Sequence, residues 1–70
     1  MKNQLMKIHR ALVAAGDYAW ARMILELLRV GILRLGLEES EVELAMLLDG
    51  LGMTPQYSRN YYVATYTLRG

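Results

Sequence analysis

Few residue types in this chain could make or break bonds. His9 is the single histidine and the one side chain whose ordinary pKa lies near neutrality. A working His needs an orienting acid or a nucleophile in reach. The nearest acid in sequence, Asp17, is better placed to cap a helix, so His9 is expected to be structural. Glu38, Glu39, Glu41 and Glu43 could supply paired carboxylates, yet acids at a helix start complement its dipole. Gly50-Leu51-Gly52 lacks the Lys-Ser/Thr end of a phosphate loop, and no calcium-loop spacing occurs. Cysteine is absent, which removes disulfides and thiolate metal sites. The sequence therefore reads as non-enzymatic, with no catalytic residue, metal or cofactor and no small-molecule substrate.

Recognition chemistry is better represented. Four of the five Tyr lie between Tyr57 and Tyr66. Tyr offers a large ring and a hydrogen-bonding tip at low entropic cost, so it is enriched at interfaces. A recognition surface is expected from Tyr57, Tyr61, Tyr62 and Tyr66 with Arg59, joined by the acidic Glu38, Glu39 and Glu41. Packing of the same rings over a thin core is the competing use.

Helices are expected to position these groups. Leu5, Ile8, Leu12 and Ala15 share one face of a first helix from about Lys2 to Ala15. Gly16 can take the left-handed turn after it, and Asp17 can cap the next helix. That second helix is expected from Tyr18 to about Leu35. Trp20, Met23, Ile24, Leu27, Leu28 and Leu35 form its apolar stripe, and Arg22, Glu26 and Arg29 its narrow polar one. Leu25, Val30, Ile32 and Leu33 carry apolar character around the other faces, which suits a central or dimer-seam helix. Gly31 either breaks that helix or admits a close neighbour. Ser40 and Glu43 match a capping box for a third helix over about Glu41 to Asp49. Thr54-Pro55 is a good helix start, so a fourth helix is expected from Pro55 to at least Tyr62. The residues after it are rich in aromatic and β-branched types, which also suit a strand.

Two resemblances attach to these segments. Val42 to Arg59 loosely resembles a helix-turn-helix, the family whose second helix enters the major groove. Leu47-Leu48-Asp49-Gly50-Leu51-Gly52-Met53-Thr54 lines up with the end of the first helix, the Gly turn and the cap of the second. The resemblance implies Gln56, Tyr57, Arg59 and Asn60 as candidates for contacting double-stranded DNA. The acidic segment before them would face phosphates, however, and bases on that side are few. Gly16-Asp17-Tyr18-Ala19-Trp20-Ala21 looks like the turn of a tetratricopeptide-type hairpin, which implies two antiparallel helices.

Size and charge complete the reading. Seventy residues make one small domain, residues 1–70, near the lower limit of independent stability. Hydrophobic residues reach 54%, above the ordinary ~45–50%, so some apolar surface should remain for a partner. A homodimer through the second helix is expected. Net charge is +1, too small for global attraction to nucleic acid or membrane. It is segmented: +4 over residues 1–37, −5 over 38–53 and +2 over 54–70. No stretch is long and apolar enough to span a bilayer, and no apolar signal core occurs, which leaves the cytoplasm as default. The expected fold is an all-α bundle of three to four helices. The expected function is binding and modulating a macromolecule, foremost a protein, as inhibitor, adaptor or anti-activator. A dimeric DNA-binding repressor is the alternative.

Overall fold

The computed structural model describes residues 1–39 and 41–68. It contains three helices and a three-stranded antiparallel sheet, so the all-α bundle is wrong. The order is α1 (Lys2–Ala14), α2 (Tyr18–Val30), β1 (Ile32–Gly36), α3 (Val42–Gly50), β2 (Gln56–Tyr57) and β3 (Val63–Thr67). The sheet runs β1-β3-β2.

The helical hairpin forms where the sequence places it. Gly16 turns with φ 81°, and Asp17 Oδ1 accepts from the Trp20 amide at 3.2 Å. His9 Nδ1 donates to the Ala21 carbonyl at 2.9 Å, tying α1 to α2.

The second helix is shorter than expected. It ends at Val30, and Gly31 takes the left-handed C-cap at φ 86°. Ile32 to Gly36 then continue as strand, not helix. The apolar residues expected to encircle one helix are thus divided between two elements. Leu33 and Leu35 point into the core while Ile32 and Arg34 point out. This period of two removes the main argument for an α2 dimer seam.

The C-terminal helix is absent. Gln56–Tyr57 is a strand, and so is Val63–Thr67. β3 finds its partner within the chain: Leu33 pairs with Tyr66 and Leu35 with Ala64. β2 pairs Gln56 with Thr65 and Tyr57 with Ala64. Pairing with β1 satisfies the main chain and buries Ala64 and Tyr66, which outweighs the Thr-Pro helix start.

One face of the sheet covers the core and the other is open, an ordinary arrangement for antiparallel strands. Leu5, Ile24, Leu27, Leu33, Leu35, Leu44, Leu48, Ala64 and Tyr66 form the core, with Trp20 and Met23 packed against it. The open face carries Ile32, Arg34, Thr65 and Thr67; Arg34, Thr65 and Gln56 lie in one row across the strands. Glu41 is the N-cap position of α3 and makes no side-chain cap bond. The capping box rests on Ser40, which lies outside the described residues. No helix among the described residues is long and apolar enough to cross a membrane.

Candidate functional site

β2 and β3 form a hairpin whose tip is built from polar turn chemistry. The Ser58 amide donates to the Val63 carbonyl at 2.8 Å, and the Tyr61 amide donates to the Ser58 carbonyl at 3.0 Å. The Val63 amide donates to Ser58 Oγ at 3.1 Å, and Ser58 Oγ donates to Asn60 Oδ1 at 2.8 Å. Ser and Asn suit such tips because their short side chains bond nearby backbone.

This network leaves Tyr61 at φ 62°, the one positive φ among described non-glycine residues. An L-residue there is strained by roughly 1–2 kcal/mol. Its ring sits 5.7 Å from that of Tyr57, tilted by 46°. Tyr57, Tyr61 and Tyr62 are all exposed, the last two by about two-thirds. Arg59 and Asn60 are exposed beside them.

The acidic loop meets this tip. The Leu37 amide donates to the Tyr62 carbonyl at 2.9 Å, so the end of β1 abuts the hairpin loop. Glu38 and Glu39 follow at once, exposed in the turn before α3. Glu41 is tethered: its Oε2 accepts from the Gly36 amide at 2.7 Å. Seven residues expected to bind a partner therefore gather at one end of the sheet: Glu38, Glu39, Glu41, Tyr57, Arg59, Tyr61 and Tyr62.

Tyr66 does not join them, which corrects its placement on the surface. It is fully buried, and its hydroxyl lies 3.0 Å from the Ala45 carbonyl and 2.7 Å from Asp49 Oδ1. Burial, then the Asp49 carboxylate, raises its pKa far above the ordinary phenol value. The strand alternation that hides Tyr66 could have been read from Tyr62, Ala64, Tyr66 and Leu68, had a partner strand been known.

The DNA-contacting candidates are also rearranged. Gln56 and Tyr57 are strand residues, while Arg59 and Asn60 occupy the turn. No helix follows Thr54 among the described residues, so the recognition helix implied by the helix-turn-helix resemblance does not form. No local sequence signal marks the Glu41–Gly36 tether or the Tyr61 conformation. Among the described residues no cluster of His, Cys, Asp and Glu could hold a metal. The chain matches no protein-family model, no curated protein and no solved structure.

Proposed function

We propose that this protein is a non-catalytic interaction module that binds and modulates a macromolecular partner, foremost another protein, in the cytoplasm. Its docking surface is the end of the sheet where Tyr57, Arg59, Tyr61 and Tyr62 meet Glu38 and Glu39. The observation that carries this reading is the strained, exposed Tyr61 paired with Tyr57. Strain held on an exposed aromatic suits a pre-organised binding residue, and Tyr-rich tips supply anchors at low entropic cost. Inhibitor, adaptor and anti-activator roles all fit such a surface.

The test is capture from host lysate followed by binding with the purified captured protein. Tyr61→Ala and Tyr62→Ala should each weaken binding by at least about tenfold, as central aromatic anchors do. Lys2→Ala, on an exposed part of α1, should leave it unchanged. Equal binding by all variants overturns the surface assignment. Duplex DNA binding that falls steeply with salt and needs Arg59 and Asn60 would replace this reading with the DNA alternative.

A further inference from the structure

The sheet has two edges, and they are not equally protected. β2 spans two residues after Pro55, which has no amide to offer. Short strands and proline are the usual ways of closing an edge. β1 spans five residues without a proline.

The ladder shows which groups on β1 are free. The Leu68 amide donates to the Gly31 carbonyl and the Leu37 amide to the Tyr62 carbonyl. Antiparallel pairs alternate between bonded and non-bonded. The odd-numbered residues of β1 therefore bond to β3, and Ile32, Arg34 and Gly36 turn their amides and carbonyls outward. The Gly36 amide is occupied by Glu41 Oε2. No hydrogen bond among the described residues reaches the amides of Ile32 and Arg34.

We propose that this open stretch pairs with the same stretch of a second copy, antiparallel about a two-fold axis at Leu33. Only one register uses both open residues and avoids the occupied amide. Ile32 then lies opposite the partner's Arg34, Arg34 lies opposite the partner's Ile32, and each pair exchanges both main-chain bonds. A register centred on Arg34 sets like charges face to face and requires the Gly36 amide. A register centred on Ile32 retains a single bonded pair. The strand is therefore complementary to itself in one alignment, as a two-fold interface must be. On the open face the aliphatic stem of Arg34 covers the partner's Ile32. Val30, exposed by 65%, and Ile32, exposed by 43%, supply apolar surface at that edge. The dimer joins two sheets into one of six strands and leaves both Tyr-rich ends free.

Sedimentation equilibrium and amide exchange by NMR test this on the full chain. We expect a species of twice 8.0 kDa, with exchange at Ile32 and Arg34 slowing as concentration rises. Arg34→Pro removes an outward amide and the stem that covers the partner's Ile32, breaks no hydrogen bond to β3, and should weaken association by at least about tenfold. Ile32→Lys, facing the partner's Arg34, should weaken it, whereas Ile32→Glu should tighten it about five- to tenfold. The gain with Ile32→Glu cannot come from unfolding. A lone 8.0 kDa particle from micromolar to millimolar concentration overturns the proposal. So does a dimer that is indifferent to all three substitutions.

Discussion

The carboxylate of Glu41 closes on the amide of Gly36 at 2.7 Å. This contact joins the start of α3 to the end of β1, and it depends on the missing side chain at Gly36. A Cβ there would lie 2.9 Å from Glu41 Oε2, closer than real contacts allow. Glycine within a strand often marks such an approach. The bond involves a charged acceptor and is half-buried, so it ranks among the stronger hydrogen bonds.

Glu41→Ala should therefore destabilise the fold by about 1–2 kcal/mol, the range for a bond to a charged group. Gly36→Ala should cost a similar amount by expelling the carboxylate. The two act on one contact, so the double variant should cost less than their sum. Urea unfolding of the four proteins measures this, and strict additivity would refute the coupling.

Tyr66 predicts an alkaline weakness. Its phenol is held protonated by burial and by Asp49, so its folded pKa exceeds the unfolded value of about 10. The unfolded chain then loses this proton at lower pH than the folded one. Stability is fully present below about pH 10 and falls as pH rises above it. Tyr66→Phe should remove that extra decline while costing about 1–2 kcal/mol near neutrality. Thermal melts across alkaline pH compare the two slopes.

Tyr61 separates strain from packing. Tyr61→Gly relieves a left-handed residue of roughly 1–2 kcal/mol but loses a ring pair of about 0.5–1.5 kcal/mol. Its stability should stay within about 1 kcal/mol of the parent. Tyr61→Val keeps the strain, adds β-branching and loses the ring, so it should cost about 2 kcal/mol or more. Chemical denaturation that ranks valine above glycine would contradict the conformation.

Asp17 gives the simplest case. Asp17→Ala removes the α2 cap and should cost about 1 kcal/mol, while Asp17→Asn should be nearly neutral. Helix content on urea titration reports both.

The helical hairpin was legible because its signals are local. Gly16 and Asp17 mark the turn, and Leu5, Ile24 and Leu27 occupy the spacing that buries them. The gathering of Tyr and Glu residues at one surface was half legible. Their types suit an interface, but Tyr66 is of the same type as its neighbours and is core.

Sequence alone determined α1, the start of α2 and the acidic third helix, since capping and apolar period act within a few residues; it left open whether Gly31 ends α2, which the strand pairing of Ile32–Gly36 decides. Tertiary structure alone decided between helix and strand at Ile32–Gly36 and Val63–Thr67. Leu33 and Tyr66 pair across 33 positions of chain, and each segment is an ambiguous apolar run until the other lies beside it. Strand identity is a property of the pair, because the hydrogen bonds that define it belong to two distant segments at once.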